Sequence, residues 1–191
     1  MFLNKKVLNK LMKEAYKSGL IIANREDKWI YIAGRYWEVE MKRECIPKEI
    51  LGDIISLVGN IPDPGERYLC TAEGNQLEIG KPMEITREAY TEGPLTITDT
   101  LQIGSCGTVQ RFLQDDSTGA IYLVNQVYIN LSKGNIDEEN GEYAPYDPFY
   151  CSTGLLWQTN MCRIAATFRH DMKNTKIINA LKGVDITPDK A

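Results

Sequence analysis

Histidine is almost missing from this chain: of 191 residues, His170 alone is one. A nucleophile–histidine pair needs a histidine beside a serine or cysteine, with a third group to orient it. His170 is flanked by Arg169, Asp171 and Lys173, company that suits a solvated position at a strand end rather than a catalytic one. A single histidine also excludes a histidine-rich metal site. The five cysteines, Cys45, Cys70, Cys106, Cys151 and Cys162, contain no C-x-x-C, and the closest pair is Cys151 and Cys162. Such spacing argues against a zinc ribbon or a compact disulfide framework and for reduced, mostly buried thiols.

Long apolar runs are missing as well. No stretch approaches the roughly 20 residues that span a bilayer. The opening MFLNKK runs straight into an amphipathic segment, without an apolar leader core or a small-residue cleavage site. The expectation is a cytoplasmic protein without membrane contact, in which the Asn130-Leu131-Ser132 glycosylation pattern carries no weight. Phosphate and cation loops fail on their spacing. Between Gly74 and Gly80-Lys81 lies one spacer too many for a phosphate loop, and Pro82 stands where a magnesium-binding hydroxyl is required. Asp115-Asp116 and Asp137-Glu138-Glu139 lack the central glycine and terminal glutamate of a calcium loop and suit solvated turns. No catalytic residue, cofactor or metal site is expected, and the chain reads as a non-enzyme.

What is present suits a globular protein, since 43% hydrophobic and 25% charged residues are enough to bury a real core. A net charge of −4 gives no global attraction to nucleic acid, although segregated charge can still build a basic face. The most informative pattern is a repeat. Residues 29–39 (WIYIAGRYWEV) align without a gap on residues 120–130 (AIYLVNQVYIN), 91 positions later. Ile30 matches Ile121, Tyr31 matches Tyr122, Ile32 matches Leu123, Ala33 matches Val124 and Trp37 matches Tyr128. Two related units, each with an apolar strand–turn–strand, are implied.

The spacing predicts a helix over 4–18, stopped by Gly19, with Leu8, Leu11, Met12 and Ala15 on one face. Lys6, Lys10, Lys13 and Lys17 fall on the opposite face, with Glu14 off it. Strands follow at 20–23, 29–33 and 36–41, the last two joined by a two-residue link, Gly34-Arg35. Pro47 opens a second helix, 48–58, at its first position. Strands at 67–72 and 76–79 complete the first unit. The second half reads as strands at 95–100, 109–113, 120–124, 127–131, 155–158 and 163–169, then a helix over 174–182. The fold class is α+β, with two pseudo-repeated antiparallel β-rich units and helices mainly in the first. The units cover 1–81 and 94–191, as two domains or one continuous one, and the second carries an acidic, aromatic loop over 132–153.

Two groups are candidates for binding. The four lysines can track a phosphate backbone, against the plainer reading of a solvated helix face. Tyr143, Tyr146, Phe149 and Tyr150 lie in the acidic loop and suit a protein partner, against folding back onto the domain. The other aromatics, Tyr31, Tyr36, Trp37, Tyr122, Tyr128 and Trp157, alternate inside expected strands and read as sheet packing.

The order helix, three strands, proline-started helix, two strands resembles one domain of a bacterial DNA sliding clamp. So does the stretch from Ile46-Pro47-Lys48-Glu49-Ile50-Leu51 through Asn60-Ile61-Pro62-Asp63-Pro64-Gly65-Glu66, and the likeness covers roughly 4–80. It implies a clamp-like fold whose helices present lysine and arginine to duplex DNA from an acidic protein, a role that Lys6, Lys10, Lys13 and Lys17 would fill. The second half lacks clear counterparts of both helices, which implies a reduced version of that fold. The expected function is a non-catalytic, clamp-like accessory protein of DNA metabolism, suited to a phage or mobile element. On this reading duplex DNA is the expected partner and a homo-oligomer the expected assembly. The alternative is an inhibitor or adaptor that binds a host protein such as a nuclease, with the acidic 137–147 stretch mimicking phosphates. A small hydrolase using cysteine or His170 is a third reading.

Overall fold

The computed structural model describes residues 2–79, 81, 84–85, 94–104, 107–132, 146–151, 154–169 and 172–188. Helix α1 (Lys5–Ala15) leads into β1 (Leu20–Asn24), β2 (Trp29–Ala33) and β3 (Trp37–Lys42). A single 3-10 turn precedes α2 (Lys48–Val58), and β4 (Glu66–Thr71) and β5 (Gly74–Leu77) follow. The second half runs β6 (Leu95–Ile103), β7 (Val109–Asp115), β8 (Ile121–Asn125), α3 (Gln126–Ile129), β9 (Phe149–Cys151), β10 (Gly154–Gln158), β11 (Cys162–Thr167) and α4 (Met172–Ala180). This is an α+β fold of antiparallel sheets with helices packed on them.

Eight strands form one sheet in the order β5-β4-β1-β2-β3-β11-β10-β9, and β6-β7-β8 form a second. Strand alternation divides the large sheet into two apolar faces. Leu20, Ile22, Ile30, Ile32, Val39, Met41, Ile164 and Trp157 point into the main core, where α1 adds Leu8, Leu11 and Met12 and α2 adds Ile50 and Ile54. The small sheet closes that core with Leu95, Leu113 and Val124. Each such aliphatic side chain contributes about 1.5–3 kcal/mol on full burial. The opposite face has a small-residue floor, Ala23, Ala33 and Ala165, covered by Ile85. The outer face of the small sheet, Phe112, Ile121 and Leu123, is packed by Ile177, Ile178 and Leu181 of α4 and its following turn.

Several expectations need correction. The strand expected at 127–131 is the short helix α3, in which Tyr128 is buried. The cause lies at the position where Gly34 matches Asn125. Gly34 lets the chain reverse into β3, whereas the Asn125 side chain accepts a hydrogen bond from the Val127 amide and caps a helix. The matched strands β2 and β8 lie in different sheets. Pro47 is the N-cap of α2, with φ −59° and ψ 136°, one position before the expected one. The end of the expected 132–153 loop is strand β9, paired with β10.

The two halves of the large sheet meet where β3 pairs with β11, from Met41 opposite Cys162 to Trp37 opposite Ala166. Glu40 and Arg163 face each other across this seam. The Glu40 side chain is fully buried; Oε1 accepts from Arg25, and Oε2 accepts from Arg163 Nη1 at 3.4 Å. Arg25 also holds Asp27 at 2.6 Å and Glu84 at 2.9 Å, which ties residue 84 to the sheet. Burial pushes the Glu40 carboxyl above the usual carboxylate range, against the pull of both arginines. A carboxyl raised in this way binds its proton more tightly folded than unfolded. Its contribution to stability is therefore full below the usual carboxylate range and falls as pH rises through the folded value.

Replacing Arg25 by Met leaves Glu40 with one arginine and should cost roughly 3 kcal/mol at pH 8. The loss should be smaller at pH 5, because a carboxyl held above its usual range by burial is less fully charged as pH falls. Urea melts at both pH values check this, and equal losses would contradict it.

Candidate nucleic-acid interface

Helix α1 forms where an Asn cap precedes an apolar stripe at helical spacing. The Asn4 side-chain carbonyl accepts from the Val7 amide at 3.4 Å, and the Asn4 amide donates to the Leu131 carbonyl at 2.7 Å. The second bond anchors the helix start to the segment after α3. Gly19, at φ 121°, lets the chain turn out of the helix into β1. With Leu8, Leu11, Met12 and Ala15 buried, Lys6, Lys10, Lys13 and Lys17 are all exposed. From Lys6 to Lys13 the helix rises about 10 Å, or about three base-pair steps of duplex DNA.

The charge around these lysines is only partly compensated. Lys5 pairs with Glu49 of α2, which leaves Lys6 as the uncompensated cation of a first turn that holds no acid. Cations at this positive end of the helix dipole are disfavoured by about 0.3–1 kcal/mol. Glu14 was expected off the lysine face, yet its Oε1 lies 3.9 Å from Lys10 Nζ. At that distance, with both side chains more than half exposed, the pair neutralises little. Helix α2 departs from the clamp-like expectation, because its sequence carries one lysine, Lys48, and two acids, Glu49 and Asp53. Of these two helices, α1 is the one that carries the positive face.

A second cationic group lies at the C-terminal end of α1. Ile21 pairs with Ala33, so the turn joining β2 to β3 emerges where α1 hands over to β1. Arg35 and Tyr36 form the tip, flanked by the Gly34 amide donating to the Trp37 carbonyl at 3.0 Å. The Tyr36 carbonyl accepts from the Thr167 amide at 3.0 Å and from the Thr167 hydroxyl at 3.2 Å. Arg169 follows β11, with its amide bonded to the Leu123 carbonyl at 2.7 Å. The Arg35 and Arg169 guanidinium carbons lie 5.1 and 5.9 Å from the Tyr36 ring centroid. Burial pushes the Tyr128 hydroxyl up; Arg169 pulls it down, while Tyr36 and Glu14 add to the push. One hydroxyl thus feels the end of α1, the turn and Arg169 together.

Sequence reading placed Tyr36 inside a strand, where it passed for sheet packing. The turn in fact sits one residue later, which puts Tyr36 at its tip with 40% of its surface exposed. The glycine at 34 was the available signal. Nothing in the sequence joins Arg169 to Arg35, since only the β3–β11 pairing brings them together.

The expected aromatic partner surface is divided by the structure. Tyr143 lies outside the described residues, as do His170 and Cys106. Phe149 and Tyr150 belong to β9, and Tyr150 packs with Tyr122 and Phe168 at centroid distances of 5.2 and 5.9 Å. Tyr146 is 65% exposed, at the mouth of a cleft of about 250 Å³ lined by Thr98, Arg111, Gln126, Asn130 and Trp157. Trp157 Nε1 donates to the Tyr146 carbonyl at 3.2 Å. The thiols of Cys70, Cys151 and Cys162 are buried, and burial pushes the Cys70 thiol up to about 11, which keeps it protonated. Among the described residues, no three His, Cys, Asp or Glu side chains converge as metal ligands, and no helix is long and apolar enough to cross a membrane.

No protein-family model matches the chain, and no curated protein matches it. Among solved structures, it is similar to the β subunit from DNA polymerase of Streptococcus pyogenes, at 10% identity and a TM-score of 0.36, over 90% of this chain and 66% of that one. The DNA polymerase III β chain from Streptococcus pneumoniae TIGR4 is similar at 6% identity and a TM-score of 0.32, over 88% of this chain and 64% of that one. The chain thus spans just under two thirds of the length of these subunits. The weak clamp resemblance noted in the sequence has a weak counterpart in structure.

The turn that carries Arg35 and Tyr36 depends on close approach at Gly34. A Cβ there would collide with the Trp37 indole nitrogen and lie 2.7 Å from its Cε2. Gly34→Ala should displace the buried Trp37 ring and lower stability by about 1–3 kcal/mol. Thermal melts with near-UV dichroism check this; an unchanged melt and aromatic signal would contradict it.

Proposed function

We propose that this chain is a non-catalytic binding protein, a clamp-like accessory protein of DNA metabolism, that holds duplex DNA through the lysine face of α1. The observation that carries the proposal is the division of that helix. Its apolar stripe is buried, while Lys6, Lys10, Lys13 and Lys17 all stand in solvent with one weakly placed carboxylate among them. Lys6, Lys10 and Lys13 are held in a row on the helix and Lys17 stands in the turn just after it, and such cations gain from displacing the counterions condensed on a phosphate backbone. That gain is local, so a net charge of −4 over the whole chain does not oppose it at contact range. Acidic surface elsewhere then limits which faces of the protein can approach DNA.

Changing Lys6, Lys10, Lys13 and Lys17 together to Glu should weaken duplex retention about 100-fold or more at 100 mM salt, by removing four backbone contacts and adding repulsion. The melting temperature should stay within a few degrees, because all four side chains are exposed. Gel shift and thermal melts on the same preparations read both quantities. Unchanged retention by a folded variant would remove this role from α1.

A further inference from the structure

Most arginines in this fold have visible work within the fold. Arg25 and Arg163 hold Glu40, Arg67 pairs with Glu78, Arg43 donates to Asn24 and to the Arg25 carbonyl, and Arg111 donates to Gln126 and to the Thr98 carbonyl. Arg35 and Arg169 differ. Among the described residues, neither guanidinium makes an ion pair or a side-chain hydrogen bond; the contact they share is the Tyr36 ring, at 5.1 and 5.9 Å. Bringing two like charges onto one ring is unfavourable unless an anion joins them, and attraction to the ring face offsets only about 0.5–1 kcal/mol for each.

We propose that Arg35 and Arg169, gathered on Tyr36, form a phosphate-binding pair that grips the DNA backbone where it leaves the lysine face of α1. The inference rests on the DNA-binding reading above and adds two contacts from outside the helix. A guanidinium drawn to a ring rather than to a carboxylate keeps N–H groups available, which can bind phosphate oxygens in pairs. Both arginines are fixed at the backbone, one beside the Tyr36 carbonyl bonded to Thr167 and the other through its own amide on the Leu123 carbonyl. These bonds hold the backbone at both positions, so the ordering left for binding is that of the two side chains. The pairing of Ile21 with Ala33 sets the turn that carries Arg35 beside the start of β1, next to the end of α1, and Arg169 acts on the Tyr128 hydroxyl together with Tyr36 and Glu14.

The test is the salt dependence of duplex binding, read by fluorescence anisotropy with a labelled 30-base-pair DNA between 50 and 300 mM salt. Each lost phosphate contact makes the log–log slope shallower by about 0.9. The double variant Arg35→Gln with Arg169→Gln should flatten the slope by about 1.8 and weaken binding about 10-fold or more at 100 mM salt, with an unchanged melt. Tyr36→Leu keeps both charges but removes the platform that orients them, and should reproduce part of the weakening. If wild type binds duplex and the lysine variant does not, while the arginine variant keeps the full slope, the pair has no role and the α1 reading stands. Wild type without salt-dependent duplex binding would sink both. Competition by millimolar inorganic phosphate at constant ionic strength would mark a free-phosphate site and overturn the backbone assignment.

Discussion

The pairing of β3 with β11 is the constraint on which the rest of this structure depends. It joins strands from the two ends of the sequence into one eight-stranded sheet. On one face of that seam, Val39 and Ile164 enter the main core beneath α1 and α2. On the other, Glu40 is buried between arginines from β11 and from the turn after β1. A fully buried carboxylate tolerates no slip in register, because moving Arg163 away would leave the charge short of a partner in a desolvated place. The same register sets Thr167 against the Tyr36 carbonyl and sends Arg169 back toward the turn that carries Arg35.

Charge is treated in opposite ways on the two sides of the molecule. Around Glu40, cations and anions interlock: Arg25 alone meets Asp27, Glu40 and Glu84. On the side covered by α1, four lysines and two arginines meet one carboxylate at a distance of 3.9 Å and no other among the described residues. Stability does not require this second arrangement, since the buried stripe of α1 would hold with neutral polar residues opposite it. This concentration of little-compensated cations on an acidic protein is what supports the proposed contact with a polyanion.

Parts of this were legible in the sequence, for physical reasons. Helices α1 and α2 announced themselves by apolar spacing and by punctuation at Gly19, Pro47 and Gly59, and the hairpin strands of the first half by alternation. The lysine face followed directly from the helical period. The second unit was harder to read. Its apolar match to the first unit extended through Tyr128, yet one exchange, Asn125 in the place of Gly34, turned the second strand of the repeat into a capped helix. Nothing in the sequence singles out Glu40, because the cover over that face arrives from residues 84–85 far along the chain. Arg169 was illegible for the same reason: its role is set by a contact between opposite ends of the sequence.

The most direct measurement of the central claim is a map of amide chemical-shift changes on adding a short DNA duplex at 50 mM salt. The account predicts that the changes concentrate on α1, on the turn at Arg35–Tyr36 and on Arg169, and spare the buried Glu40 face. Changes confined to the cleft beside Tyr146, or none on α1, would contradict it.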